Sequence, residues 1–268
     1  MTNSKITGKT KEIIPLPGLP GHGKVFSFDD LTAENGARKI TLAGKGALVN
    51  AITCDVFECL AFHRVPLAFV RREGDQFITR LAEMIPLEVV VRNKATGSAL
   101  KRNTDLIDGA VIDPPVVEFF YKTTGKEIDG HELPEDDPLA VLQENGDLWL
   151  YHPGKPPVGE PIHIIKPPNK EVGYFHFLFQ ELTDIALRVN FYLKRAWEQQ
   201  GGDLWDFKIE CGEVDGRIVV ADVIDFDSWR VFVNGNPVSK QLFRDKAPEK
   251  AILAAAQLTA RMTKGFSI

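Results

Sequence analysis

The chain has 268 residues, of which 44% are hydrophobic and 26% charged, and its formal net charge at pH 7 is −5. This composition is typical of a globular protein and excludes disordered and fibrous classes. The acidic balance argues against a nucleic-acid partner, because nonspecific affinity for phosphates requires a basic face. The chain lacks a run of about 18 apolar residues and starts with the polar segment MTNSKITGKTKEI, so we expect a cytoplasmic protein without a membrane partner.

The length suits two modest lobes, which we place at residues 1–85 and 86–268. In the first lobe, strands at 6–14 and 25–28 flank the turn-rich segment PLPGLPGHGK. Apolar residues then recur at helical spacing over 46–62, and further strands are predicted at 66–70 and 76–81. This lobe is therefore predicted to be a small sheet covered by one helix.

The second lobe begins at Pro86 with a predicted strand over 87–91. A long amphipathic helix over 177–200 ends at two glycines, and a closing helix runs from Pro248 to about Met262. Between them, residues 122–169 are rich in proline, glycine and acids. We interpret that segment as a long excursion with one hairpin, formed by residues 147–152 and 161–165.

The segment LWDFKIECGEVDGRIVVADVIDFDSWR, residues 204–230, combines a core pattern with charges. Side chains of a strand alternate between faces, so Asp206, Lys208 and Glu210 share one face. The opposite face carries the apolar row Trp205, Phe207, Ile209 and Cys211. The charged face is either the solvated surface of an antiparallel sheet or the floor of a site.

The turn after this strand decides which charges meet. A three-residue connection would place Lys208 opposite Asp222 with Glu210 one diagonal step away, whereas a two-residue turn at Asp215-Gly216 would point Asp222 to the other side. The first register predicts a magnesium site of two carboxylates beside a lysine. The alternative reading of the same cluster is a structural salt bridge.

Two further stretches combine glycine with cations. In ITGKTK, residues 6–11, backbone amides and two lysines could hold a polyphosphate, although a solvated sheet edge protected by lysines is the more common case. In LEVVVRNKATGSALKR, residues 87–102, a strand ends at Arg92 before a turn containing Ser98. This arrangement predicts a phosphate cradle with Arg92 as a bidentate fork, and a surface charge run is the alternative.

Together with DDLTAENGARK, GKGALVNAI, DPPVVEFFYK and KQLFRD, these stretches resemble, in the same order, the SAICAR synthetase family of purine biosynthesis. The resemblance covers about three quarters of the chain. It implies an α+β fold of two lobes, the first an antiparallel sheet similar to the nucleotide lobe of kinases and ATP-grasp enzymes. It also implies ATP and Mg²⁺ as cofactors, and the aminoimidazole carboxylate nucleotide and L-aspartate as substrates. A homodimer is left open.

The resemblance also assigns residues. ATP would lie near Lys9, Thr10, Lys11, Lys122 and Glu210 with its adenine near Met84, and magnesium would be held by Glu210 and Asp222. The catalytic residues would be Arg92, Lys208 and Arg230. The substrates would be surrounded by Arg92, Ser98, Asp206, Lys208, Asp227 and Arg230.

The implied reaction is an amide ligation. ATP converts the substrate carboxylate to an acyl phosphate, and the amine of aspartate then displaces phosphate. Phosphoryl transfer requires in-line positioning and charge neutralisation, not a protein nucleophile.

Two departures from the family pattern keep alternatives open. Val223 stands where the family has an acid, and the family segment DP(M/L)(V/I)NE is recognisable only at Asp137-Pro138-Leu139. The alternatives are a related ligase acting on another azole carboxylate or amine, and a nucleotide-binding module without turnover.

Overall fold

The computed structural model describes residues 5–33, 38–123, 127–128, 131–134, 136–171 and 173–266. Within these ranges the chain forms two larger antiparallel sheets with helices packed on them, which confirms the predicted α+β class. The Asn35-Gly36 step of the motif DDLTAENGARK, a sequence typical of turns, lies outside the described residues.

The first sheet has five strands in the order β1-β2-β3-β7-β6. Its strands are β1 (Ile6–Thr7), β2 (Lys11–Pro15), β3 (His22–Ser27), β6 (Phe69–Glu73) and β7 (Gln76–Arg80). The strand predicted over 6–14 is therefore two strands joined by a turn at Gly8–Thr10. A separate ribbon pairs β4 (Asp30–Ala33) with β5 (Arg38–Thr41), and α1 (Lys45–Phe62) packs on β3 and β7.

The second sheet has nine strands, and its two long central members pair along most of their length. In chain order the strands are β8 (Glu83–Lys94), β9 (Val111–Tyr121), β12 (Leu139–Leu142), β13 (Leu148–Tyr151), β14 (His163–Ile165), β15 (Gly202–Val214), β16 (Arg217–Ala221), β17 (Trp229–Val233) and β18 (Asn236–Pro237). The path through the sheet is β14-β13-β12-β9-β8-β15-β17-β18, and β16 also pairs with β15. A short ribbon joins β10 (Glu127–Ile128) to β11 (His131–Glu132).

The excursion over 122–169 extends this second sheet. β13 and β14 pair antiparallel with Leu148 opposite Ile165, which confirms the predicted hairpin, and β12 connects the hairpin to β9. The excursion thus supplies three strands at one end of the sheet, with β14 at the edge. A single 3₁₀ turn at Pro168–Lys170 leads from it to the long helix.

Four more helices complete the described fold: α2 (Ser98–Arg102), α3 (Tyr174–Gln199), α4 (Gln241–Arg244) and α5 (Glu249–Thr263). α3 lies on β8 and β15 and buries the stripe Leu182, Ala186, Val189 and Leu193 completely. Burial of each large aliphatic side chain in such a stripe stabilises the fold by about 1.5–3 kcal/mol. α1 packs on α5, and most of its buried apolar residues belong to one core with those of the second sheet, whereas Val25 and Phe77 of the first sheet form a separate cluster with Cys54.

The predicted boundary between lobes, at residues 85 and 86, falls inside β8, and the division into lobes stays a prediction. The three cysteines are free and buried. Of the helices in the described ranges, none combines the length and apolar character needed to cross a bilayer.

Candidate active site

The charged face of β15 is the floor of a cleft. Phe207, Ile209 and Cys211 are each 1% exposed and belong to the core, whereas Lys208 and Glu210 are partly exposed on the other face. The predicted alternation is thus confirmed for these residues. It was wrong for Trp205, because a bulge between Leu204 and Asp206 interrupts the pairing with β17. Leu204 takes the core position, and the Trp205 ring stacks on Phe232 at 4.0 Å between centroids.

Of the two turns considered between β15 and β16, the structure has the two-residue one. Val214 pairs with Arg217 across a two-residue turn, in which Asp215 and Gly216 have φ of 52° and 72°. Two positive φ values give a type I′ turn, whose twist matches that of the flanking strands. Glu210 therefore pairs with Ala221, and a regular strand would direct Asp222 to the core face.

Asp222 nevertheless reaches the cleft. β16 ends at Ala221, and Asp222 itself has a φ of 60°, a left-handed conformation that aspartate adopts more readily than most residues. This reversal of the backbone redirects the side chain, and Asp222 lines the same cavity as Glu210. The predicted convergence of the two carboxylates is present, although the register that motivated it is not.

We call the cavity beside these carboxylates the lysine cavity. Its volume is about 610 Å³, and four of the lysines that line it each lie within 4.0 Å of a carboxylate, with Lys240 the most distant from its partner Asp227. Lys122 Nζ lies 2.5 Å from Glu210 Oε1, and the Lys11 ammonium contacts Asp222. Lys208 Nζ lies 2.5 Å from Glu88 Oε2 rather than opposite Asp222. The loop segment Gly8, Lys9 and Thr10 also lines this cavity.

The charges in the lysine cavity stabilise one another. Burial disfavours the charged form of Lys208, but the carboxylates of Glu88 and Glu210 outweigh it and raise the pKa of Lys208. Burial likewise disfavours ionised Asp222, but the Lys11 ammonium outweighs it and lowers the pKa of Asp222. Lys208 and Asp222 are therefore both charged at neutral pH. Asp225 differs, because burial and the negative charge of Asp227 raise its pKa.

A second cavity of about 430 Å³ lies on the other side of Lys208, and we call it the arginine cavity. Asp206 is 3% exposed in its wall and accepts hydrogen bonds from Arg92 Nη1 at 2.8 Å and Arg230 Nη1 at 2.5 Å. Arg92 also donates to Ser98 Oγ at 3.0 Å. Gly97 has a φ of 60°, and an added Cβ would stand 2.8 Å from Arg230 Nη2, so only glycine fits there.

The two cavities share a wall. Five residues line both of them: Glu88, Asp137, Lys208, Asp227 and Ser228. A group bound in one cavity is therefore within reach of a group bound in the other, and Lys208 stands between the two. The predicted residue Met84 is 44% exposed, and it lines neither cavity as the described residues define them.

Several site residues were missed in the sequence. Lys45, at the start of α1, has a side chain only 2% exposed, with its Nζ 3.3 Å from Asp227 Oδ2 and 3.2 Å from the Asp30 carbonyl. Its position in GKG at a helix start was the available signal. Glu88 and Arg92 are four positions apart on β8, so their side chains lie on the same face of the strand. Lys240 and Arg244 also line the cleft.

Ligands for a metal are limited to pairs in this region. Across the described ranges, no group of three or more histidine, cysteine, aspartate or glutamate side chains is arranged to hold an ion. Glu210 and Asp222 form a pair of carboxylates in one cavity, each next to a lysine.

Comparison with known proteins identifies the family. The sequence model of SAICAR synthetase matches residues 4–140 and 171–259. The chain is 31% identical over 272 residues to the phosphoribosylaminoimidazole-succinocarboxamide synthase of Chloroflexus aurantiacus, with 96% of each chain covered. It is 36% identical over 244 residues to "Multifunctional protein ADE2" of Gallus gallus, which covers 89% of this chain but 51% of that protein. The chain thus spans about half the length of that relative.

A solved structure described as "SAICAR synthetase (Type-2) in complex with ADP" superposes with a TM-score of 0.77 at 27% identity, covering 98% of both chains. The fold, the paired cavities and these similarities define a ligase of purine biosynthesis. The chain belongs to the SAICAR synthetase family. The predictions of the family, the fold class and an ATP-dependent carboxylate–amine ligase are therefore confirmed.

Proposed function

We propose that this ligase joins L-aspartate to the carboxylate of the aminoimidazole carboxylate nucleotide and that the two cavities divide the substrates between them. ATP occupies the lysine cavity and the imidazole nucleotide occupies the arginine cavity. The observation that carries the proposal is the shared wall, where Lys208 lines both cavities. In-line phosphoryl transfer requires such a junction between a polyphosphate site and an acceptor site.

The lysine cavity has the charges that a triphosphate needs. Lys9, Lys11 and Lys122 line it together with the backbone of Gly8 and Thr10. Each ammonium is a compact point charge that can exchange a carboxylate partner for a phosphate oxygen. The similar solved structure in complex with ADP supports nucleotide binding by this fold. An adenine near Met84 stays a prediction.

Glu210 and Asp222 fit a magnesium ion. Both supply hard carboxylate oxygens in one cavity, and one or two carboxylates plus substrate phosphates are the usual magnesium environment in proteins. When bound, the ion would neutralise charge on the triphosphate. Val223 follows Asp222 where the family has an acid, so no second acid is adjacent to Asp222 in the sequence. We therefore assign Glu210 and Asp222 as the metal pair.

The ligation proceeds through an acyl phosphate. A carboxylate oxygen of the nucleotide bonds to the γ-phosphorus while the bond to the bridging oxygen breaks and ADP leaves. The aspartate nitrogen then bonds to the acyl carbon, loses a proton and releases phosphate. Lys208, charged and between the cavities, stabilises negative charge on the transferred group.

In the arginine cavity, Arg92 and Arg230 orient the nucleotide. Both guanidinium groups are fixed by Asp206, so their remaining donors present a constant geometry to an anion. Ser98 and Asp227 line the same cavity and complete the proposed contacts to the substrates.

The test is a reconstitution with purified protein, ATP, magnesium, the imidazole carboxylate nucleotide and L-aspartate. We expect ADP release to depend on all of these components, with the succinocarboxamide product identified by mass spectrometry. ADP release that requires a different amine or a different azole carboxylate would assign the chain to a related ligation, and the absence of any turnover would refute the proposal.

A further inference from the structure

A segment outside the family match forms part of the substrate cavity. The match to the SAICAR synthetase family stops at residue 140 and resumes at residue 171. The hairpin of β13 and β14 lies in this interval, and the connection between its strands reaches the arginine cavity. His152, Pro153, Gly154 and Lys155 line that cavity, and we call these four residues the hairpin turn.

The hairpin turn is tied to the network that holds Arg92. Arg102 Nη1 donates to the carbonyl of Pro153 at 2.6 Å, and Arg102 Nη2 contacts Glu118. Glu118 Oε2 in turn accepts from Arg92 Nε at 2.6 Å. Arg102 is 9% exposed, so this connection is largely shielded from solvent. The position of the turn is therefore coupled to the guanidinium that we assign to the nucleotide.

Local hydrogen bonds give the turn a defined shape. The N–H of Gly154 donates to His152 Nδ1 at 3.0 Å, and the N–H of Lys155 donates to the His152 carbonyl at 3.2 Å. The aliphatic part of Lys101 lies alongside, since a Cβ added to Gly154 would stand 3.4 Å from Lys101 Cδ. Lys101 and Lys155 thus contribute to one side of the arginine cavity.

These two lysines differ from those of the lysine cavity. In the lysine cavity, Lys11, Lys122 and Lys208 each form an ion pair with a carboxylate. By contrast, none of the described carboxylates forms an ion pair with Lys101 or Lys155. Asp136 and Asp137 also line this cavity, but no ion pair joins either of them to Lys101 or Lys155 within the described residues. The two exposed ammonium groups can therefore attract an anion of charge −2. Of the groups on the proposed substrates, the phosphate monoester has this charge and three acceptor oxygens.

We propose that Lys155, with Lys101, binds the phosphate monoester of the imidazole nucleotide, so that the hairpin turn adds a determinant of nucleotide recognition that the family match does not include. This inference rests on the proposed function. The shared chemistry is an anionic oxygen group, and the carboxylates of aspartate are its other source. The phosphate is favoured because Ser98 and Arg92, which we assign to the nucleotide, line the same cavity.

The experiment compares steady-state kinetics of the wild type with Lys155→Ala and Lys155→Arg. We expect Lys155→Ala to raise KM for the nucleotide about tenfold, the effect of losing one charged hydrogen bond, with kcat and the KM for aspartate unchanged. Lys155→Arg should retain most of the affinity. The matched control is Lys166→Ala on the same hairpin, whose ammonium pairs with Asp147 at 2.6 Å and is 69% exposed.

A second measurement removes the phosphate instead of the lysine. The dephosphorylated nucleoside, used as a competitive inhibitor, should have the same inhibition constant with the wild type and with Lys155→Ala. If Lys155→Ala raises KM for aspartate alone, or weakens the nucleoside as much as the nucleotide, the phosphate assignment is overturned. If the wild type shows no turnover, the proposed function is refuted. If the wild type is active and Lys155→Ala has the same KM for the nucleotide, only this inference is refuted.

Discussion

The lysine cavity and the arginine cavity hold their charges in different ways. In the first, single ammonium groups pair one to one with partly exposed carboxylates, as Lys122 does with Glu210. In the second, the buried carboxylate of Asp206 joins two guanidinium groups, and Arg92 makes further bonds to Glu118 and Ser98. The lysine cavity is built from separable pairs, whereas the arginine cavity is a connected network.

This difference follows from the chemistry of the two cations. An ammonium is a compact charge on a flexible stem, and it can change partners when a polyphosphate arrives. A guanidinium is a rigid planar fork that keeps its geometry once several donors are satisfied. Substitutions in the arginine cavity should therefore affect stability first, and substitutions in the lysine cavity should affect turnover first.

The largest effect on stability is expected for Asp206→Ala. Its removal leaves Arg92, which is 3% exposed, without one of its anionic partners, and breaking a buried ion pair costs about 3–5 kcal/mol. Urea unfolding followed by circular dichroism should show this loss. The control is Asp203→Ala on the same strand. The Asp203 carboxylate is 49% exposed and pairs with Lys94, so its loss should lower the free energy of unfolding by about 1 kcal/mol or less. Equal losses in the two variants would contradict a connected network.

The second prediction concerns turnover. Lys208→Ala should lower kcat by about 10²–10³-fold, since it removes a cation placed where negative charge develops, while the fold survives because this side chain is 39% exposed. Product formation and thermal unfolding measure the two effects separately. Lys166→Ala is the matched control, and unchanged ADP formation in Lys208→Ala would remove Lys208 from the site.

The sequence was most informative where local patterns decide the structure. Helical periodicity located α1 and α3 to within a few residues, and alternation identified the two faces of β15 between Phe207 and Cys211. The error at Trp205 arose from the bulge beside it. Bulges depend on how two strands pair, and the pattern of one strand does not specify them.

The site itself depends on pairings between distant segments. Glu88 approaches Lys208 because β8 pairs with β15, although about 120 residues separate them in the chain. Lys45 reaches Asp227 across a still longer separation. Convergence of Glu210 and Asp222 was predicted from the wrong register, and the left-handed backbone at Asp222 was the missing element. Most of the residues that the family resemblance assigns line the two cavities, and their roles stay predictions.

The third prediction tests the metal pair in the lysine cavity. Glu210→Gln keeps the size and one oxygen but removes a charge, so the magnesium concentration for half-maximal activity should rise about tenfold. A magnesium titration of ADP binding by calorimetry gives a readout independent of turnover. Glu213→Gln, an exposed position on the same strand, is the matched control. An unchanged magnesium requirement in Glu210→Gln would exclude Glu210 as a ligand.

The smallest effect is expected for the free energy of unfolding at acidic pH. Burial disfavours ionised Glu88, but the Lys208 ammonium outweighs it and lowers the pKa of Glu88. A carboxyl whose pKa is lower in the folded than in the unfolded state contributes stability above the unfolded value of about 4.3, and that contribution is lost as pH falls through the lowered pKa. Glu88→Gln should therefore be less stable than the wild type at pH 7, and the difference should shrink below about pH 4. Urea unfolding at several pH values measures this convergence. A difference in unfolding free energy that stays constant across the pH range would mean that the Glu88–Lys208 pair contributes through packing and not through charge. The pair would then resemble the arginine network more than the separable pairs of the lysine cavity.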